Sequence, residues 1–122
     1  MSGIFGLVRK DGAPADPAWL AQMEAAMAAW GRDGSGHHLA GRAGLGLLLC
    51  HNTPESRVER GPYAEPELVI AADVRLDNRP ELVPVLATEG EPLTDPALLL
   101  RAYQRWGETC VDHLLGAFAF AI

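Results

Sequence analysis

The sequence predicts one α+β domain, and two patterns along the chain lead to that prediction. Short apolar, β-prone runs bounded by glycine, asparagine and aspartate recur along the chain, which is typical of strands in a sheet. Two aspartate-proline pairs, Asp16-Pro17 and Asp95-Pro96, each open a segment with apolar residues at helical spacing. With 122 residues, the chain has room for a single hydrophobic core.

Strands are predicted wherever a short apolar run is bounded by turn residues. The first run begins almost at the amino terminus, so the first residues are expected inside a sheet. Gly41-Arg42 separates two further runs and is predicted to turn a β-hairpin. The predicted strands cover residues 3–8, 37–40, 43–50, 68–76 and 117–122. The predicted loops cover residues 31–36, which are rich in glycine, and 52–66, which are polar.

Three helices are predicted from capping residues and apolar spacing. Asp16 is expected to cap the first helix, which presents an apolar stripe to the core. That stripe comprises Trp19, Leu20, Met23, Met27 and Trp30. Asn78 is expected to cap a short second helix, and Asp95 is expected to cap a third helix that ends at Gly107.

Composition and charge exclude several classes of function. The net charge of −6 argues against a nucleic-acid partner, because few phosphate counterions would be released on binding. Cys50 and Cys110 are too few for a disulfide framework and lack the spacing of a zinc site, so a reduced protein without a metal is predicted. The longest apolar stretch, residues 45–50, is too short for a membrane span, and no signal peptide is visible. A cytoplasmic location is therefore predicted.

Five short motifs stand in the same order as in a known family. Residues 1–6 resemble the opening of class II glutamine amidotransferases, in which a cysteine follows the initiator methionine. Residues 27–36 are similar to the family's arginine-histidine-arginine-glycine-proline-aspartate loop, and residues 71–82 align with a stretch that holds an asparagine-glycine pair. The matching residues in these stretches are Gly31, Asp33, Ser35, Gly36 and Asn78.

Two further motifs extend the resemblance to the last residue. Asp95 falls where the family has an aspartate before a helix, and Tyr103 with Gly107 continues the match. Residues 115–121 closely resemble a segment of asparagine synthetases. Residues 1–122 as a whole therefore resemble a degenerate amidotransferase domain of the asparagine synthetase family, closest to lasso-peptide cyclases and β-lactam synthetases.

This resemblance implies a fold and a domain context. The implied fold is the N-terminal-nucleophile αββα sandwich, in which two antiparallel sheets lie between helical layers. Residues 1–122 would be a partial, carboxyl-terminally truncated domain, because the family domain is normally longer. In asparagine synthetases it precedes a synthetase domain that uses ATP and Mg²⁺. No cofactor is implied for the present chain itself.

The resemblance also implies where a catalytic site would lie, and three of its positions are altered. Family members hydrolyse glutamine with the thiol of the first mature cysteine, whose own α-amine serves as the base. Ser2 stands at that nucleophile position, and Met1 would have to be removed to free its amine. Asp73-Val74 replaces the asparagine-glycine pair that lines the oxyanion hole. Leu49 replaces the arginine that grips the substrate carboxylate.

Three polar positions of the implied substrate site are retained, namely Asp33, Asn78 and Asp95. In the family, the aspartate matched by Asp95 helps to hold the α-amino group of the substrate. A structural role is the simpler interpretation of the two aspartates, Asp95 as a helix cap and Asp33 as a loop residue.

The predicted function is the amidotransferase-like part of an ATP-dependent amide-forming enzyme in which glutaminase activity is lost. The domain would serve as a scaffold or guide a substrate, as in lasso-peptide cyclases. Its expected partners are a synthetase domain, in cis or in trans, and a peptide substrate, with neither nucleic acid nor membrane. Two alternatives stay open. One is an active serine N-terminal hydrolase or glutamine-hydrolysing domain, and the other is a non-catalytic module for homodimerisation or partner binding.

Overall fold

The computed structural model describes residues 1–87 and 93–122, which fold into two antiparallel sheets and three α-helices. The strands are β1 Gly3–Val8, β2 Gly34–Ala40, β3 Ala43–Leu49, β4 Tyr63–Glu65, β5 Leu68–Leu76 and β6 Gly116–Ala121. The α-helices are α1 Pro17–Ala26, α2 Arg79–Leu86 and α3 Asp95–Trp106. Single 3₁₀ segments cover Ala28–Trp30, Glu55–Val58 and Gly107–His113.

The first sheet has the order β1-β3-β2, and the second has the order β4-β5-β6. Gly41 turns the β2–β3 hairpin with a φ of 55°, a conformation that a residue with a side chain rarely adopts. Gly46 on β3 faces Phe5 on β1 across the strand pair. A Cβ at that position would lie 2.1 Å from the Phe5 ring, so glycine is needed for the ring to lie flat on the sheet.

Alternating side chains place a helix, two sheets and a second helix in successive layers. Leu20 of α1 packs against Phe5 and Leu48 on the outer face of the first sheet. The opposite face of β3 presents Leu47 and Leu49 to Ala71 of β5, and this cluster joins the two sheets. The outer face of β5 packs against α3 through a cluster formed by Ile70, Ala72, Leu99 and Leu100.

The predicted α+β sandwich of two antiparallel sheets is confirmed. β1 and β5 occupy the predicted residues, and the hairpin turns where it was expected. Asp16 caps α1, since its side chain accepts a hydrogen bond of 2.8 Å from the Ala18 N–H. Gly107 ends α3 with a φ of 63°. In the described residues 1–87 and 93–122, every helix is too short or too polar to cross a membrane.

Two predictions about loops and the first helix are wrong. α1 ends at Ala26, and the 3₁₀ turn that follows leaves Trp30 48% exposed. Trp19 is 43% exposed beneath the Arg9 guanidinium, so neither tryptophan belongs to the core. The predicted polar loop over residues 52–66 contains β4, which pairs with the start of β5. Tertiary pairing gives this short segment a partner that its local pattern does not indicate.

The predicted cap position of Asn78 is confirmed, whereas the predicted capping of α3 by Asp95 is wrong. Asn78 is at the cap position of α2 but makes no side-chain capping bond. Thr94 holds the cap position of α3, and Asp95 is already inside that helix. The Asp95 side chain bonds to β5 and the Asn78 side chain bonds to the segment just before β6, and these contacts give partners to backbone groups there.

We expect Leu98→Ala to lower the free energy of unfolding by about 2–5 kcal/mol, because it empties a buried site. Leu98 is 0% exposed and packs with Leu76 and Leu82. Leu115→Ala is the matched control, since Leu115 is 64% exposed and its truncation should change stability by no more than about 0.5 kcal/mol. Urea denaturation followed by circular dichroism measures both. Equal losses in the two variants would contradict the assigned core.

Candidate functional site

A cavity of about 230 Å³ lies at one end of the space between the sheets. Its walls come from the start of β1, the end of β3, the segment of residues 52–59, the middle of β5 and the start of β6. The wall residues with nucleophilic or titratable side chains are Ser2, Cys50, Thr53, Ser56, Glu59, Asp73 and Arg75, and Met1, which carries the amino terminus, also lies in the wall. Of the site residues predicted from the sequence, Ser2, Asp73 and Val74 meet in the wall of this cavity.

Ser2 is fixed by hydrogen bonds at both its nitrogen and its oxygen. Gly3 pairs with Leu48, which places Ser2 beside the end of β3. There the Cys50 N–H donates a hydrogen bond of 3.2 Å to the Ser2 Oγ. The Ser2 N–H donates a hydrogen bond of 2.9 Å to Asp73 Oδ1. The hydroxyl is thus held as an acceptor, and the carboxylate is directed at the nitrogen.

Asp73 and Val74 lie side by side on β5 but face opposite ways. Asp73 shares its face with Ala71, which packs between the sheets, and so it points toward the cavity end of that space. The Val74 side chain packs on the other face, with the clusters beneath α3. At the cavity, this strand therefore presents a hydrogen-bond acceptor at position 73 and no side-chain donor at position 74.

Leu49 lies in the core between the sheets, 6% exposed, and does not line the cavity. Asp33 lies on the loop before β2, where its carboxylate accepts a hydrogen bond of 2.8 Å from the His51 N–H. The Asp33 N–H donates to the Leu49 oxygen at 3.0 Å. These bonds tie the glycine-rich loop to the end of β3, so Asp33 has a structural role here.

Asn78 joins α2 to the start of β6. Its Nδ2 donates a hydrogen bond of 2.9 Å to the His113 oxygen, and its Oδ1 accepts one of 3.0 Å from the Leu115 N–H. The side-chain amide thus donates one hydrogen bond and accepts another, both with backbone groups. Asn78 is not part of the cavity wall. Asn78 therefore fixes the segment just before β6, the strand that carries Ala117 of the cavity wall.

Asp95 is a buried carboxylate held by a strand and a helix. Its Oδ2 accepts a hydrogen bond of 2.9 Å from the Leu76 N–H, at a part of β5 that β4 does not reach. Its Oδ1 is paired with Arg79, which also donates to the Leu93 oxygen at 2.7 Å. The side chain of Asp95 is 5% exposed, so this ion pair is largely removed from water.

Glu59 is the cavity residue that the sequence did not single out. The pKa of its carboxyl is raised to about 7, chiefly by burial and also by the negative charges of Asp95 and Asp73, while Arg79 opposes them. Nothing in the local pattern marks Glu59, because it lies in a polar segment without periodicity. A carboxyl that titrates near neutral pH within a cavity is nonetheless typical of functional sites.

The described residues contain no group of three or more histidine, cysteine, aspartate or glutamate side chains that could hold a metal ion. The cavity can therefore offer carboxylates, a serine hydroxyl and the Cys50 thiol to a ligand.

Comparison with known families gives one match. The model of the glutamine amidotransferase domain family matches residues 1–122. The matched range includes every element and every wall residue of the cavity. A search of curated proteins gave no match.

We expect Arg79→Gln to lower the free energy of unfolding by about 3 kcal/mol, because it leaves Asp95 buried without its cation. Arg75→Gln is the matched control, since Arg75 pairs with Asp77 on the surface, with side chains 60% and 49% exposed. That control should leave stability essentially unchanged, because exposed ion pairs contribute little. Chemical denaturation at pH 7 compares the two variants, and a loss no larger in Arg79→Gln than in Arg75→Gln would contradict the buried pair.

Proposed function

We propose that this chain, which belongs to the glutamine amidotransferase domain family, no longer hydrolyses glutamine. The contact between the Ser2 nitrogen and the Asp73 carboxylate supports this proposal most directly. The domain instead acts as a scaffold or substrate guide within an ATP-dependent, amide-forming enzyme of the asparagine synthetase type.

The Asp73 contact opposes the base that hydrolysis would require. In this family type, the α-amine of the nucleophile must be neutral in order to accept a proton from the attacking group. Once Met1 is removed, the Ser2 nitrogen becomes an amine 2.9 Å from Asp73 Oδ1. A carboxylate at that distance favours the ammonium over the free amine. The amine is then held in the form that cannot act as a base.

The same carboxylate opposes charge development on a substrate. Hydrolysis of an amide builds negative charge on the carbonyl oxygen, which donors in an oxyanion hole must stabilise. Asp73 can only accept while it is ionised, and its neighbour Val74 directs an apolar side chain beneath α3. Loss of a single donor costs about 10² to 10³ in rate, and an added negative charge increases that cost.

The site also lacks a cation for a substrate carboxylate at the position where the family has arginine. Leu49 occupies that position and is part of the contact between the sheets. A leucine in place of arginine therefore adds apolar surface to the core and removes the cation that would bind the substrate carboxylate. Arg75, the arginine of the cavity wall, is paired with Asp77, and Arg79 is paired with Asp95. Free glutamine would therefore meet carboxylates where its own carboxylate needs a donor.

The parent reaction that we propose is ATP-dependent amide formation with an amine taken directly from the substrate. The resemblance to lasso-peptide cyclases and β-lactam synthetases favours it, because such enzymes form amides without ammonia. A synthetase domain, in cis or in trans, would bind ATP and Mg²⁺, and a peptide is the proposed substrate. The amidotransferase-like domain would contribute surface and rigidity to that assembly.

One observation favours an alternative function. Ser2 lines the cavity, as a nucleophile would, so a serine N-terminal hydrolase acting on another amide is the second candidate. This alternative requires removal of Met1, which an intact mass measurement on the purified protein decides.

We expect Ser2→Cys to restore no glutaminase activity, because the Asp73 charge and the missing clamp remain. Glutamate release should stay at the background of the assay, after intact mass has confirmed that Met1 is absent. An active family member is the positive control for sensitivity. Glutamate release by Ser2→Cys above that background would overturn the proposed loss of activity.

The effect of Asp73 on the amine can be measured separately. In the chain without Met1, Asp73→Asn should lower the pKa of the Ser2 α-amine by about one unit or more, as expected when an adjacent carboxylate is removed. Asp77→Asn is the control, because Asp77 lies in the exposed pair with Arg75 and outside the cavity wall. Nuclear magnetic resonance titration of the α-amine measures both, and equal values for the two variants would contradict the proposed role of Asp73.

The proposed context can be tested in the source cell. Antibody capture followed by mass spectrometry should recover this domain either within a longer chain or together with a separate chain that binds ATP. Recovery of a 13.1 kDa protein without such a partner would contradict the proposed enzyme and favour a stand-alone binding module.

A further inference from the structure

One wall of the cavity is a segment that is fixed at both ends and bonded only locally between them. We call residues 53–60 the flap. Before the flap, the Cys50 and His51 N–H groups donate to Ser2 and Asp33. After it, Gly61 lies against Leu47, closely enough that a Cβ on Gly61 would meet the leucine side chain at 2.1 Å.

Within the flap, Thr53 and Ser56 form a compact turn. The Thr53 N–H donates to Ser56 Oγ at 3.1 Å, and Ser56 Oγ donates to the Thr53 oxygen at 2.7 Å. The Glu59 N–H donates to the Ser56 oxygen at 2.9 Å. In the described part of the chain, every hydrogen bond assigned to the flap lies within it. The flap can therefore move as a unit without breaking a bond to the sheets.

We propose that the flap is a pH-responsive cover of the cavity, closed over it while Glu59 is neutral and displaced outward once Glu59 is charged. The cavity is the site of the proposed function, so this regulation rests on that proposal. The movement of the flap can nevertheless be measured without reference to glutamine or to any product.

The charged groups around Glu59 favour this assignment. β5 presents Asp73 and Arg75 at the cavity, α3 contributes the buried Asp95, and α2 contributes Arg79. Arg79 is paired with Asp95, and Arg75 is paired with Asp77, so neither arginine is a dedicated partner of Glu59. The start of β1 adds the Met1 amino terminus to the wall, and the flap itself carries Glu55, Arg57 and Arg60. An ionised Glu59 is therefore disfavoured by the negative charges of Asp95 and Asp73 and by its partly buried position.

The direction of the pH dependence follows from the two states of Glu59. Its pKa is about 7 in the closed form, against an ordinary value of 4.5, which we expect in the open form. Closing therefore takes up a proton between pH 4.5 and about 7. Rising pH shifts the balance toward the open form across that window, and the balance levels off above it. Because Glu59 is partly solvated, we expect a change of about tenfold in the ratio of open to closed forms.

The Cys50 thiol reports on the flap, because it lines the same cavity. We expect the rate of its reaction with dipyridyl disulfide, divided by the rate in Glu59→Gln, to rise about tenfold from pH 5 to about pH 8 and to stay constant above that. The ionisation of the thiol is common to both proteins and largely cancels in this ratio. Cys50→Ala corrects for any reaction at the buried Cys110.

The sign of this change distinguishes flap movement from a direct charge effect. A charged Glu59 acting only on the thiol would disfavour the thiolate and would lower the ratio as pH rises. A constant or falling ratio would therefore overturn the proposal. Glu55→Gln is the matched control, since Glu55 is an exposed flap carboxylate outside the cavity wall, and it should behave as the unmodified chain does.

Amide hydrogen exchange keeps the proposal testable if Glu59→Gln does not fold. In the unmodified chain, protection of residues 53–60, corrected for intrinsic exchange, should fall between pH 5 and 7 while that of β3 stays constant. Protection of the flap that does not change over this range would overturn the proposal. Either result leaves the proposed loss of glutaminase activity unaffected, because that loss is tested through Ser2 and Asp73.

Discussion

The contact between β3 and β5 joins the two sheets, and the geometry of the cavity depends on it. Leu47 and Leu49 from one sheet pack on Ala71 of the other, and all three are nearly inaccessible to water. β1 pairs with β3, so Ser2 follows wherever β3 lies, while Asp73 stands two residues beyond Ala71 on the same face of β5. The distance between Ser2 and Asp73 is therefore set by the apolar contact between the sheets that lies next to these two residues. A small residue at position 71 allows the sheets to approach closely enough for this contact to form.

The substitutions at the site agree with this packing. A leucine at position 49 extends the apolar contact between the sheets, where a charged side chain would need a partner or a route to water. Asp73 gains a donor in the Ser2 N–H. Each change is thus compatible with a stable fold, although it opposes the hydrolysis of glutamine. The loss of catalysis that we propose requires no loss of structure.

Asp73 and Glu59 both line the cavity, and Glu59 changes its charge near neutral pH because its pKa is raised to about 7. Asp73 and Asp95 have fixed hydrogen-bond donors, whereas the Glu59 carboxyl is held near them by the path of the chain. The energy of bringing a third carboxylate close is relieved either by binding a proton or by moving away. Because the flap is bonded only to itself between its anchored ends, the second option is open to it.

The sequence by itself determined the elements whose signals are local. The Asp16 cap, the glycine that ends α3, the hairpin at Gly41-Arg42 and the apolar runs of β1 and β5 all follow from neighbouring residues, and all are confirmed. The order of motifs also indicated the family that the domain match shows. The tertiary structure alone decided which long-range partners each polar group has. Asn78 and Asp95 have the residue types of helix caps. Their side chains nevertheless accept hydrogen bonds from the Leu115 N–H, just before β6, and from the Leu76 N–H on β5. β4 exists because β5 offers it an edge, and Glu59 is perturbed because folding brings Asp73 and Asp95 beside it. Hydrogen bonds and charges act through space, so residues far apart in the chain control them, and no local pattern contains that information.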